Sequence, residues 1–191
     1  ANSDEFKYDG TEKTVRGFEA LTFTVNGLKF TVSDLTAETT KTDVGEYAVN
    51  VVGTPVVKDA NGNVVTDQFA VYTENGKLTI TKRSVTLTSA TAAKEYDGNA
   101  LTDDTVTVTG DGFAEGEGAA YNVTGSQTLV GSSENAFTYT LNEGTKADNY
   151  DITTNNGTLT VVNRDAKFEI TVKANSDEFK YDGTEKTVRG F

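Results

Sequence analysis

The chain has 191 residues, 36% hydrophobic and 9% aromatic, which is enough apolar material for a folded core and too much for a disordered tail. It contains no Cys, His, Met or Trp, and this excludes disulfides, thiol nucleophiles, imidazole bases and the usual nitrogen- and sulfur-ligated metal sites. The net charge of −12 divides as −3 over residues 1–83, −8 over 84–164 and −1 over 165–191, a field that repels nucleic acid and anionic membrane surfaces.

A repeat organises the chain. Tyr-Asp-Gly occurs at Tyr8-Asp9-Gly10, Tyr96-Asp97-Gly98 and Tyr181-Asp182-Gly183, and residues 1–18 (ANSDEFKYDGTEKTVRGF) recur letter for letter as residues 174–191. Periodicity of this kind marks arrays of small domains. It predicts one domain over 1–83, a second over 84–164, and over 165–191 the opening strand and start of a third. No signal peptide or long apolar run is present, and because the chain stops eighteen residues into another copy, the sequence reads as a slice of a longer protein.

In the first half, residues 14–30 alternate apolar and polar around Asn26-Gly27, which predicts strand, tight turn, strand. Residues 31–42 (TVSDLTAETTKT) predict the one short helix, with Ser33 or Asp34 as its N-cap. Residues 43–52 predict a strand with Tyr47, Val49 and Val51 on one face, followed by Gly53, the sole Pro55 and a loop at Asp59-Ala60-Asn61-Gly62-Asn63. A hairpin is expected to close the half, with residues 68–73 and 77–81 flanking Glu74-Asn75-Gly76.

The second half repeats this order. An early strand over 106–109 leads to a glycine-rich acidic loop over 110–118, and a closing hairpin pairs residues 148–153 with 158–162, placing Phe69 opposite Tyr150 and Leu78 opposite Leu159 in the comparison of halves. No flexible linker separates the halves. Residues 84–91 and 166–173 both read as strands preceding a Tyr-Asp-Gly, whereas only seven residues precede Tyr8, so the first domain lacks its opening strand. Head-to-tail self-association follows as an expectation, the tail of one molecule completing the first domain of the next by strand addition. The alternative is a domain that tolerates the loss beside a loosely packed tail.

Nothing points to catalysis, and no catalytic, cofactor or metal residues are assigned. Gly110, Gly112, Gly116 and Gly118 lack the spacing and the lysine of a phosphate loop, and Asp111, Glu115 and Glu117 would repel phosphate; a flexible acidic surface loop fits better. Asp59-Ala60-Asn61-Gly62-Asn63 resembles the start of a calcium loop but has its glycine in the wrong place and no twelfth-position Glu, so a hairpin turn is expected, with calcium a weak rival. Asp103-Asp104 reads as a solvated face, and Asn122-Val123-Thr124 as a low-specificity glycosylation pattern. In Tyr-Asp-Gly the Tyr is expected to anchor in the core, the Asp to bond nearby backbone and the Gly to supply a positive φ; a ligand contact through the ring is the rival. A Lys–Asn cross-link beside a buried carboxylate is conceivable, but the sequence selects no pair.

Tyr8-Asp9-Gly10-Thr11 with Lys13-Thr14, then Asp43-Val44-Gly45-Glu46-Tyr47, residues 56–66 (VVKDANGNVVT) and Gly76-Lys77-Leu78-Thr79-Ile80, together resemble the MBG domain of bacterial surface proteins. The second half is similar to the related YDG-type domain through Lys94-Glu95-Tyr96-Asp97-Gly98, Val130-Gly131-Ser132, Asn149-Tyr150-Asp151-Ile152 and Gly157-Thr158-Leu159-Thr160-Val161. The resemblance implies mainly β architecture: two tandem β-grasp-like domains end to end in an elongated rod, with at most one short helix each. It also implies an extracellular, cell-surface setting in a large, often wall-anchored adhesin, and supplies no catalytic residues. The function expected is that of stalk or spacer repeats projecting a distal binding domain. The rival is an adhesive module for host glycan or matrix protein, which a surface grouping of Tyr47, Tyr72, Tyr121 and Tyr139 would favour.

Overall fold

The computed structural model describes residues 1–191. The first half contains β1 (Asp4–Lys7), β2 (Lys13–Arg16), β3 (Thr22–Val25), β4 (Leu28–Lys41), β5 (Gly45–Val49), β6 (Val51–Asp59) and β7 (Gly76–Thr81). The second contains β8 (Arg83–Ser89), β9 (Ala92–Glu95), β10 (Val106–Gly110), β11 (Ala119–Val123), β12 (Gly131–Asn135), β13 (Phe137–Leu141), β14 (Tyr150–Asn155) and β15 (Gly157–Val162). The protein is mainly β, with no α-helix and one 3₁₀ turn in each half, at Thr66–Gln68 and Ala147–Asn149. No helix is long and apolar enough to cross a membrane.

Strand pairing stays within each half. The closing strand β7 runs parallel to β1 and antiparallel to β5, and β15 does the same with β9 and β12. Leu78 and Leu159 sit at matching points of these central strands, and both are fully buried. Beyond this shared plan, β4 pairs with β2, β3 and β6, whereas β11 pairs only with β13.

Residues 31–42 form no helix; all but Thr42 continue β4, a fourteen-residue strand. Five threonines and Val32 lose side-chain freedom in a helix but suit a pleated surface, and strands on both sides satisfy the backbone. A bulge separates Ser33 from Leu35, where Asp34 takes φ 64° and the partner strand carries Gly53 and Pro55. The inward face therefore switches from Phe30 and Val32 to Leu35 and Ala37. The Asn26-Gly27 hairpin forms as expected, with φ of 52° and 81° at the turn.

The two expected closing hairpins are absent. β14 pairs with β8 and β15 with β9 and β12, so the chain turns a corner from one sheet into another. In the first half, residues 69–75 join no ladder at all. The strand expected over 43–52 is likewise interrupted at Asn50, and Val51 starts β6. Gly76 and Gly157 are therefore not turn glycines. A Cβ on Gly76 would overlap the Asn2 carbonyl, and one on Gly157 the carbonyls of Ser89 and Ala90, because the segment preceding each Tyr-Asp-Gly crosses directly over them.

Gly157→Ala is accordingly expected to cost about 3 kcal/mol or more of stability, measured by urea unfolding. Gly157→Asn should fare no better, although Asn would tolerate a turn with positive φ.

Candidate functional site

Each Tyr-Asp-Gly folds into the same turn. Asp9 Oδ1 accepts from the Thr11 amide (2.9 Å) and hydroxyl (2.6 Å), Asp182 repeats both bonds with Thr184, and Asp97 accepts from the Asn99 amide at 2.9 Å. Gly10, Gly98 and Gly183 hold φ of 80°, 84° and 76°, a region that costs Gly little. Lysines close the turn, Lys13 on Asp9, Lys94 on Asp97 and Lys186 on Asp182. The turn is made by its own side chains, and the surroundings decide what its tyrosine does. Tyr8 is 4% exposed, Tyr96 is half-buried and Tyr181 is 97% exposed.

Tyr8 is buried with the help of the second half. Its ring meets Tyr150 edge-on with centroids 5.6 Å apart, and Phe113 meets Tyr150 at 5.2 Å, geometry that aromatic quadrupoles favour. Both phenols donate to one carboxylate, Tyr8 to Glu117 Oε1 and Tyr150 to Oε2 (2.8 Å), and the Ala114 amide donates to the Tyr150 oxygen at 3.0 Å. Arg83, at the start of β8, clasps the joint: Nε donates to the Gly112 carbonyl (2.9 Å), Nη2 to that of Asp111 (2.5 Å) and Nη1 to that of Tyr8 (3.2 Å). Around it, Lys7 pairs with Asp111 at 2.7 Å, and Asp43 accepts from Lys146 (2.6 Å) and Asn149 (3.1 Å). The apolar core is continuous across this joint, Tyr8, Leu78 and Ile80 clustering with Val85, Leu87 and Tyr150.

The loop over 110–118 is thus not the flexible surface loop expected. Ala114 is buried, Asp111, Gly112, Phe113 and Glu117 are half-buried, and Glu115 and Gly116 face solvent. Two of its three acidic side chains have partners at the joint, Asp111 with Lys7 and Ser84 and Glu117 with the two tyrosines, and its Asp111 and Gly112 carbonyls take Arg83. The Lys7 ammonium and then the Ser84 amide hold the Asp111 carboxyl at about 2. Burial, reinforced by Glu117, pushes the Tyr150 phenol up to about 12 and raises that of Tyr8 as well.

The first half has no counterpart to β8. In the second half β8 lies between β10 and β14; in the first there is an open groove of about 480 Å³ lined by Phe18, Leu21, Phe23, Val32, Val71 and Tyr72. Tyr72 is 90% exposed, and at one end of the groove the Ala1 amino group donates to the Glu74 carbonyl at 2.6 Å. The tail is the converse. Residues 165–191 join no strand and expose Phe168, Ile170, Val172 and Tyr181. Its last eighteen residues nevertheless keep the shape of the first eighteen: Asn175 bonds the carbonyls of Gly190 (3.1 Å) and Arg189 (3.0 Å) as Asn2 bonds those of Gly17 (3.0 Å) and Arg16 (2.9 Å). Arg164 also donates from Nη1 to the Tyr96 carbonyl at 3.2 Å, repeating the Arg83–Tyr8 contact.

The remaining candidate residues fall apart from one another. Asp59 gathers the amides of Asn61 and Asn63 into a hairpin turn, Asp103 accepts from the Thr105 amide, and Asn122 lies exposed on β11. No three acidic side chains converge on a point that would hold a metal ion. Lys146, Asp43 and Asn149 are a Lys–carboxylate–Asn trio, but Asp43 raises the Lys146 pKa and keeps the amine protonated, the form that cannot attack an amide. Tyr47 bonds back to the Asp43 carbonyl and Tyr72 lies in the groove, so only Tyr121 and Tyr139, opposed across β11 and β13, are neighbours.

The fold and these surfaces define a mainly β protein whose halves are clasped through a buried joint, with an open groove in the first half and residues 165–191 outside every sheet. No family model matches the chain, nor does any curated protein or solved structure.

Arg83→Ala is expected to weaken coupling between the halves by about 1–3 kcal/mol, seen as a broadened or split urea transition, and Arg83→Lys should not restore it because Lys lacks the planar fork. Tyr150 and Tyr8 have raised folded pKa values, so their contribution is intact below the unfolded value of 10.0 and is lost as pH rises toward 12. Burial raises the Tyr121 phenol too, so an absorbance titration should show three of the eight tyrosines ionising late, together with a loss of stability across pH 10–12.

Proposed function

We propose that the chain is part of the stalk of a large bacterial surface adhesin, its tandem units holding a distal binding domain away from the cell. On this reading residues 1–83 and 84–164 are two β-grasp-like domains set end to end in an elongated rod, the start of a third follows at 165–191, and neighbouring repeats are the natural partners. The setting is extracellular and wall-anchored, as the resemblance to MBG and YDG-type domains implies.

The observation that carries the proposal is the joint. A spacer needs defined length and stiffness rather than a unique site. A joint with a continuous apolar core, a shared carboxylate and a three-pronged arginine resists bending better than a flexible linker does. The letter-for-letter recurrence of residues 1–18 as 174–191 suits the same task, and the Arg164–Tyr96 contact repeats part of the clasp one unit further on. The rival reading, an adhesive module, retains only the Tyr121–Tyr139 pair.

Small-angle scattering tests the proposal. A rod should give a radius of gyration well above the ~16 Å of one compact body of this length, with a skewed distance distribution that shortens or broadens in Arg83→Ala. A compact profile would sink the proposal, and a glycan-array signal would favour the rival.

A further inference from the structure

We propose that Tyr8 and Tyr150 form an oxidative cross-linking site: a small one-electron oxidant, of the kind peroxidases release, couples the two rings into a dityrosine and so bonds the halves covalently. The inference rests on the geometry of the joint and not on the stalk reading.

Composition directs the oxidation. The side chains that give up an electron most readily are those of Cys, Met, Trp, His and Tyr, and this chain holds eight tyrosines and none of the others. An oxidising equivalent that enters the chain therefore comes to rest on tyrosine. Geometry then selects the pair. Tyr8 and Tyr150 meet with ring centroids 5.6 Å apart, and every other aromatic contact includes a phenylalanine, whose ring lacks the hydroxyl and takes no part. Tyr121, although opposite Tyr139 in the ladder, turns its ring toward Phe137 instead, with centroids 6.5 Å apart.

The site also supplies the base. Burial keeps both phenols protonated, so an electron taken from either ring requires that its proton leave as well. Both hydroxyls already donate to Glu117, Tyr8 to Oε1 and Tyr150 to Oε2 at 2.8 Å, within the reach a proton acceptor needs. Glu117 is half-buried and hands each proton on to water. The shared carboxylate draws the hydroxyl ends of the two rings together. The carbons beside those hydroxyls, where a phenoxyl radical carries much of its unpaired spin, are thereby brought toward each other.

The step balances. Each phenol gives one electron to the oxidant and one proton to Glu117, leaving two phenoxyl radicals. Their unpaired electrons form a single carbon–carbon bond between positions ortho to oxygen, and the proton on each of those carbons moves to the oxygen, restoring two phenols. The chain loses two electrons and two protons in all, and the oxidant gains the two electrons. A biaryl stays twisted about its new bond, so the rings need not become parallel. Phe113 against Tyr150 and Arg83 on the Tyr8 carbonyl keep the partners from drifting apart.

Photo-oxidation of the whole chain with tris(bipyridyl)ruthenium and persulfate, which accepts two electrons as it splits into two sulfates, tests the proposal. Tyr72 and Tyr181, 90% and 97% exposed, are first replaced by Phe so that chains do not couple to one another through them. The expected product is a monomer lighter by two hydrogen atoms, with the blue fluorescence of dityrosine and one new tryptic species joining residues 8–13 to residues 147–164. Mapping that bond requires no change at the joint. Tyr8→Phe keeps the ring and should abolish the species, and Glu117→Gln, which keeps the shape but accepts no proton, should lower its yield several-fold. The cross-linked chain should also unfold at a higher urea concentration than the untreated one. Dityrosine between any other pair, or tyrosines that gain oxygen without coupling, would overturn the proposal. A compact scattering profile would remove the stalk reading and leave this one standing.

Discussion

In both halves the strand that comes last in the sequence occupies the middle of its sheet. β7 enters between β1 and β5, and β15 between β9 and β12. Leu78, Ile80, Leu159 and Val161 are therefore buried on strands whose neighbours were laid down some thirty to seventy residues earlier. Neither half can close from local pairing alone, and its loop-closure cost falls due before its core is complete. The glycine at the head of each central strand follows from the same arrangement, since the segment leading into Tyr-Asp-Gly has to cross over it with no space for a side chain.

The joint applies this economy to polar groups. Two phenols come together in a largely buried site, where an unpartnered hydroxyl would be expensive. One carboxylate, Glu117, accepts from both, and Arg83 takes up three carbonyls that would otherwise lack partners at the boundary. Most of the negative charge sits in the second half, and ion pairs cross the joint in both directions, Lys7 of the first half on Asp111 of the second and Lys146 of the second on Asp43 of the first.

Much of this is legible in the sequence where a rule is local. The Asn26-Gly27 turn, the aspartate-capped turns at Asp9 and Asp97 and the equivalence of Leu78 with Leu159 all rest on short-range chemistry or on comparing the halves. The failures arise where a distant partner decides. One bulged residue, Asp34, brings Val32 and Leu35 to the three-residue spacing of a helix face, although the bulge becomes intelligible only beside Gly53 and Pro55 of β6. Gly76 and Gly157 look like turn residues because nothing nearby in the chain reveals the strand that passes above them. The loop over 110–118 reads as solvent-facing because its cationic and aromatic partners, Lys7, Tyr8 and Arg83, lie far from it in sequence. A usable signal was present in the pairing of Phe113 and Ala114 with the acidic residues, since an apolar pair inside an acidic loop needs cover.

The parallel pairing of β1 with β7 also determines how the fold would carry tension. A pull that enters at the N-terminal end of β1 and leaves at the C-terminal end of β7 drags two neighbouring strands in opposite directions along their length, and the same holds for β9 and β15. The hydrogen bonds between them lie across the line of force, so they are loaded together rather than one after another. Under traction each half would behave as a ladder sheared all at once, whereas a closing hairpin would have opened as a zipper.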